Sequence, residues 1–267
     1  MNCSQEKFAE VFEEWRPQLR SFILRLTANQ EDTQDLLQDT FIRASQSLHS
    51  FQHRSSLKTW IFTIGSNLAK NHLRSKNRWA DNATDLAKEA THRSSRILEG
   101  FMNVHQTSPH GAFDIREHIN FCFTCIGKTL PIEEQVSLLL KDVYDFKVHE
   151  IAEILEKTEG SVKHLLLNAR KKMIAIFEKR CSLVNKKGIC HQCSELNGIF
   201  NPKHETQKKL MEIDMVKKAS SESKKMLFSL RTHMVKAIDP YNSSGCELQF
   251  YHLRHVRNTM ETSPQQV

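Results

Sequence analysis

Apolar residues recur every three or four positions from the beginning of the chain. Phe8, Val11, Phe12, Trp15, Leu19, Phe22, Ile23 and Leu26 fall on one face of a helix. A strand repeats every two residues and could not place the same set on one side. The period returns in Leu37, Phe41, Ala44 and Leu48, on a second helix that Asn29 can cap with Asp32 three residues on. A third helix, Leu57 to Arg74, is expected to bury Leu57, Trp60, Ile61, Ile64 and Leu68. Only 8 glycines and 6 prolines occur in 267 residues, too few to turn many strands. The expected fold class is all-α.

From Arg78 the pattern weakens into a polar stretch that holds Ser108-Pro109-His110-Gly111. It reads as a flexible linker with a short helix near Ile97–Val104. Helical spacing resumes at Ile115, Ile119, Phe123 and Ile126. Leu130-Pro131 opens another helix, since proline suits a first turn. Val148–Leu155 and Ser161–Phe177 are two further helices, and polar amphipathic helices are expected near Glu205–Lys218 and Glu222–Ile238. The expected organisation is two small helical domains, an N-terminal bundle at 1–78 and a helix-turn-helix domain at 114–180. A linker at 79–113 joins them, and a helical, Cys-containing extension follows at 181–267. The N-terminus shows no signal-peptide core, and no apolar run approaches the ~20 residues that span a membrane. A cytoplasmic protein without membrane insertion is expected.

The segment His149–Leu155, Glu156–Gly160 and Ser161-Val162-Lys163-His164 has helix-turn-helix spacing. Small Ala152 lets the helices cross closely, with Ile151, Leu155 and Val162 filling the junction. Wound at 3.6 residues per turn, the second helix buries Val162, Leu166, Ala169 and Met173. His164, Asn168 and Lys171 then point outward, with Ser161 and Lys163 at the leading end, where they could enter a major groove. Lys163 to Lys187 holds eight Lys or Arg and one acid, a footprint for phosphate. A generic helical hairpin with a solvated basic face would carry the same pattern.

The N-terminal half adds two surfaces of opposite sign. Asn29–Asp39 has four acids and no base, which would repel nucleic acid. Asp35, Asp39, Ile42 and Gln46 share one face, where Ile42 could be an apolar contact inside a charged ring for a protein partner. A solvated acidic face is the alternative. Arg54 to Arg78 has six basic residues and no acid, within a net charge of +7 for the chain. Gln52–Lys58 is a polar loop after Phe51, and Thr63, Ser66, Asn67, Lys70 and Arg74 form one polar stripe behind it. Such a loop, with His53 and nearby aromatics, can hold an unstacked base. Trp60 is expected mainly to brace it from the core.

Taken together, these residues resemble the extracytoplasmic-function group of the sigma-70 family of bacterial RNA polymerase sigma factors. Asp35-Leu36-Leu37-Gln38-Asp39-Thr40-Phe41 looks like that family's polymerase-binding helix. Phe51, Ser55-Ser56, Thr59-Trp60, Ile61, Ile64, Asn67 and Arg74 match its promoter-melting segment. Leu130-Pro131, Gln135, Glu150-Ile151-Ala152, Gly160-Ser161-Val162-Lys163 and Ala169-Arg170 match its −35-reading domain. The resemblance implies a subunit that binds core RNA polymerase and directs promoter recognition, strand opening and transcription initiation. It assigns core binding to Asp35, Gln38, Asp39 and Ile42. It assigns −10 contacts to Phe51, His53, Ser55, Ser56, Lys58, Thr63, Asn67, Lys70 and Arg74. The −35 contacts fall to Ser161, Lys163, His164, Asn168 and Lys171. The linker would thread the polymerase, promoter DNA is a partner, and an anti-sigma factor is a further partner the resemblance allows.

The chain departs from the family at Asn71, where an Asp is usual, and at Glu156, where a Gly often closes the turn. A non-glycine at 156 must accept an unusual backbone angle or reshape the turn. Leu165, Leu167 and Asn168 also depart within the recognition helix, and Leu167 points outward. A free-standing helix-turn-helix regulator is the alternative function, but it needs neither the acidic helix nor the Trp60 loop. An enzyme is not expected, because no nucleophile–base arrangement stands at a recognisable spacing.

In a cytoplasmic protein the seven cysteines are expected to be reduced, metal-bound or redox-active. Cys122-Phe-Thr-Cys125 lies in an apolar helical pattern, where cysteine often serves as a small hydrophobe. Cys190-His-Gln-Cys193 lies in a turn-like context. Cys181, Cys190, Cys193 and His204 could complete a tetrahedral set for a structural zinc, as could both CxxC pairs together. No cofactor is required for the expected function. The extension is read as a built-in regulator that docks on the DNA-reading domain.

Overall fold

The structure is a computed structural model that describes residues 5–107, 115–181, 221–243 and 246–262. It is built from helices, α1 (Gln5–Thr27), α2 (Gln30–Ser47), α3 (Leu57–Leu73), α4 (Ala83–His92), α5 (Ser95–Thr107), α6 (Ile115–Gly127) and α7 (Ile132–Leu138). A π-helical turn, Leu139–Val143, leads to α8 (Val148–Leu155), α9 (Glu159–Arg180), α10 (Lys224–Lys236) and α11 (Cys246–Thr262). No described helix is long and apolar enough to cross a membrane.

The chain forms two compact units. The first contains residues 1–78 and 130–169, and the second residues 79–129 and 170–267. The boundary falls inside α9, so these units group the segments differently from the expected division at 78, 113 and 180.

In the first unit, Phe8, Phe12, Leu19, Phe22, Ile23 and Leu26 of α1 are buried, as the period predicts. Phe41 of α2 packs against Phe8 and Phe12, with ring centroids 6.0 and 5.0 Å away. Gly65 allows α3 to approach α1, because a Cβ there would stand 2.9 Å from Leu19 Cδ1. The expected inward set of α3 needs correction. Ile61 and Leu68 are buried, but Leu57, Trp60 and Ile64 are half-buried, and Thr59, Phe62, Gly65, Ser66 and Ala69 are buried instead. The reason is a second partner. Phe62 lies between Phe22 of α1, at 5.5 Å, and Phe146 ahead of α8, at 4.9 Å.

A buried polar network also joins these distant segments. The Arg25 guanidinium donates to Tyr144 Oη at 2.6 Å and to the Ser21 hydroxyl, and Tyr144 donates to Ser21 Oγ at 2.9 Å. Gln135 Nε2 donates to the Arg25 carbonyl at 2.8 Å. Buried polar groups that satisfy one another this way fix a single register.

In the second unit, the segment expected as a linker carries α4 and α5. The helix expected near 97–104 extends over Ser95–Thr107. Phe101 of α5 packs on Tyr251 and His252 of α11, each at 4.6 Å, and His255 Nε2 lies 2.7 Å from the Ala87 carbonyl. Gly100 makes the approach possible, since a Cβ there would overlap the Tyr251 hydroxyl. α6 is buried over most of its surface, and burial pushes the His118 imidazole down to about 4. The helix expected at Glu222–Ile238 is α10, and Phe228 on it stacks against Phe123 of α6 at 6.3 Å. The helix expected near Glu205–Lys218 lies outside the described residues, and α11 was not foreseen.

Candidate nucleic-acid and protein interfaces

The acidic face belongs to α2. Asn29 Oδ1 accepts from the Glu31 amide at 3.1 Å and starts the helix. Leu36, Leu37, Thr40 and Ala44 turn inward, which leaves Asp35, Gln38, Asp39 and Ile42 exposed together at i, i+3, i+4 and i+7. Ile42 is 41% exposed, a large apolar side chain among carboxylates. Asp32 is not part of that surface. It pairs with Lys76 at 2.8 Å and His72 at 2.9 Å. Burial pushes the Asp32 carboxyl up, but hydrogen bonds and charge from Lys76 and His72 outweigh it and hold the group below the usual carboxylate range.

The loop between α2 and α3 forms an aromatic shelf. Phe51 lies 5.0 Å from Trp60 and 4.5 Å from His53, and His53 takes a left-handed backbone at φ 56°. Gln52, His53 and Arg54 are exposed, while Phe51, Ser55 and Trp60 are half-buried. Ser56 is committed locally, as its Oγ accepts from the Thr59 amide at 3.0 Å and caps α3. A ring pair beside exposed polar groups can stack a base on one side and hydrogen-bond it on the other.

Behind the loop, the expected DNA contacts divide. Asn67, Lys70 and Arg74 line a cleft of about 560 Å³ with Asn71, Lys76 and Arg78, and Glu133 is its acid. Burial lowers the Lys70 pKa against the pull of Glu133 and Glu156. Lys58 is not brought to this cleft. Its Nζ sits 4.7 Å over the Trp15 ring and 4.8 Å over the Phe146 ring, and burial lowers its pKa despite Glu150 and Asp145. Thr63 donates its hydroxyl to the Thr59 carbonyl at 2.9 Å. The cleft-lining Arg78 and Lys76 were not singled out in the sequence. Only the base-rich count between Arg54 and Arg78 pointed to them.

The helix-turn-helix forms as the spacing requires. Ile151, Ala152, Leu155 and Val162 are buried at the junction. Glu156 closes α8 in the left-handed conformation, φ 54° and ψ 45°, so the residue found in place of glycine accepts the strained angle. Lys157 N donates to the Ala152 carbonyl at 2.9 Å across that turn. Thr158 Oγ1 then accepts from the Ser161 amide at 3.2 Å and starts α9. Val162, Leu166 and Ala169 face inward. Ser161, Lys163, His164 and Lys171 are exposed, and Asn168 is half-buried with its amide 3.3 Å from His164 Nδ1. Leu167 is 64% exposed in their midst.

Of the expected metal ligands, Cys181 follows α9 and is half-buried. Cys190, Cys193 and His204 lie outside the described residues.

Residues 11–79 match the family described as sigma-70 region 2, and residues 122–173 match sigma-70 region 4. The chain is 27% identical over 176 residues to the ECF RNA polymerase sigma factor SigG of Mycobacterium tuberculosis, across 62% of this chain and 47% of that protein. It thus spans about half the length of that relative. It is 26% identical over 170 residues to the ECF RNA polymerase sigma factor SigM of Bacillus subtilis, across 64% of this chain and 94% of that one. Among solved structures it resembles the sigma factor RpoE of Bartonella quintana, crystallised with the anti-sigma factor NepR. There the TM-score is 0.45 and the identity 20%, over 64% of this chain and 97% of that chain.

Proposed function

We propose a function from the family to which this chain belongs, the extracytoplasmic-function group of the sigma-70 factors. It binds core RNA polymerase in the cytoplasm and directs promoter-specific DNA binding, strand opening and transcription initiation. The sigma factors are not an enzyme family, and this chain contributes binding energy and no reaction of its own.

One observation supports this reading best: two surfaces of opposite character on consecutive helices. The exposed Asp35, Gln38, Asp39 and Ile42 on α2 suit a basic protein surface, and the Lys70–Arg74 cleft on α3 suits phosphate. A regulator that only binds DNA has no use for the first. In this reading the Phe51–His53–Trp60 shelf receives an unpaired base of the opened strand. Ser161, Lys163, His164, Asn168 and Lys171 enter the major groove of the −35 element, and Leu167 meets a thymine methyl there. An anti-sigma factor would compete for the same faces. Residues 181–267 act as a regulatory extension.

Engaging both promoter elements demands a change of shape in the first unit. The −10 and −35 elements lie roughly 25 base pairs apart, on the order of 85 Å of duplex. A compact unit of this size is on the order of 30–40 Å across. α3 must therefore part from α8 when both elements are engaged. The contacts that open include Thr59 Oγ1 to Glu150 Oε1 at 3.3 Å and the Lys58 ammonium over Phe146.

Binding to purified bacterial core polymerase tests the assignment of the acidic face. Reversing Asp35 and Asp39 to Lys should weaken binding at least tenfold, or about 1.4 kcal/mol, while helical content is unchanged. Undiminished binding would remove α2 from the interface.

A further inference from the structure

We propose that the second unit holds a binding site for one small carboxylate, with the Arg231 guanidinium as its anchor. Arg231 of α10 is 3% exposed. Its Cζ stands 4.3 Å from the centroid of the Phe177 ring, so the aromatic covers one face of the guanidinium. The open donors lie on the edge. Nε and Nη2 are buried and make no hydrogen bond among the described residues. These two nitrogens donate in parallel, the geometry that grips both oxygens of a carboxylate. Arginine does not shed its proton in a protein, so burial cannot neutralise it. An anion is the remaining way to offset the charge.

The surroundings set the size and charge of the ligand. Arg231 lines a cavity of about 30 Å³ with Ile119 and Ile126 of α6 and Phe177 of α9. That space suits an ion of a few heavy atoms, and the apolar walls suit a short alkyl group beside the charge. The second guanidinium of the cavity, Arg180, is already neutralised. It pairs with Asp85 at 2.5 Å and donates to Thr84 Oγ1 at 3.1 Å. Asp81 lines the cavity as well, and its carboxylate pairs with Lys172 Nζ at 3.8 Å. The Arg231 charge is left over, and a monocarboxylate balances it. Ala80 and Asp81 are exposed where they line the cavity, so the ligand reaches it with α6, α9 and α10 in place. α10 belongs to the C-terminal extension, and the bound ion ties it to α6 and the end of α9.

The test uses the full-length chain without polymerase or DNA, so its outcome is independent of the transcription reading. Acetate and formate serve as probes, with sodium chloride at equal ionic strength as the reference. Saturating acetate should raise the thermal unfolding midpoint by about 2–4 °C over chloride. Carbon-13-labelled acetate should show line broadening that excess formate removes. Arg231→Lys, which keeps the charge and loses the paired donors, should weaken acetate binding about tenfold. Arg231→Met should abolish the acetate shift and unfold in chloride no earlier than the parent, because it removes a buried charge that has no fixed partner. Equal midpoints in acetate and chloride for the parent chain, or an acetate shift that survives in Arg231→Met, would overturn the site. So would an Arg231→Met chain that unfolds earlier than the parent in chloride, since Arg231 would then already have a counter-charge within the chain.

Discussion

α3 and the first half of α9 are both amphipathic, both base-rich and both proposed to read DNA, yet the first unit treats them differently. α9 is covered on one side only. Its inward residues Val162, Leu166 and Ala169 are buried, and Ser161, Lys163, His164 and Leu167 are bare. α3 is covered on two sides, by α1 and α2 and by the segment around Phe146 and α8. Lys58 and Thr63, expected to face DNA, are half-buried, and Lys58 has aromatic partners within the unit. A helical period shows which residues share a face. It does not show how many faces find partners, because the second partner of α3 lies far along the chain.

The largest effect should come from the doubly covered helix. Phe62→Ala removes a buried ring that touches Phe22, Tyr144 and Phe146. It should destabilise the protein by about 3–5 kcal/mol in denaturant titration. Leu167→Ala, an exposed change on α9, should stay within about 0.5 kcal/mol. Equal losses would mean that α9 is covered as α3 is.

Next in size are effects on promoter binding. Asn168→Ala should cost about 1–3 kcal/mol and relax preference at one base position, as read by competition among promoter variants. Lys171→Ala should weaken binding to all sequences alike and reduce the salt slope by about one. If both variants behave alike, α9 holds phosphate and reads nothing.

Glu156 gives a smaller and opposite effect. Its left-handed backbone, at φ 54°, is one that glycine adopts without strain. Glu156→Gly should raise stability by about 0.5–1 kcal/mol with the helix-turn-helix intact.

The smallest effect concerns Asp32, whose carboxyl is held below its usual range by Lys76 and His72. A depressed pKa contributes stability above the unfolded value, and that contribution is lost as pH falls through the folded value. Asp32→Asn should therefore lower stability at neutral pH by less than about 1 kcal/mol. The gap to the parent protein should close in acid. A gap that persists at low pH would assign the effect to packing.

Much of the fold was legible where one face decides burial. The α1 core, the Asn29 cap, the Val148–Leu155 helix and the strained turn at Glu156 follow from spacing and local chemistry. The exposed face of Asp35, Asp39, Ile42 and Gln46 was also readable, because α2 has a single inward side, whereas Gln38 came only from the resemblance. What escaped depends on distant partners. Asp32 looks like another acid of a docking face until α3 brings Lys76 to it. Lys58 looks like a DNA contact until Phe146 lies under it. The polar stretch after Arg78 reads as a linker because its apolar residues are few. Phe101 is enough to anchor it once Tyr251 and His252 are supplied by a helix near the other end of the chain.

Run-off transcription tests the central claim most directly, with the purified chain added to bacterial core polymerase over a library of promoter fragments. The account predicts specific transcripts that depend on the chain and disappear when Asp35 and Asp39 are reversed to Lys. Strong sequence-specific DNA binding without polymerase, and no transcript with it, would contradict the account and make the protein a free-standing regulator.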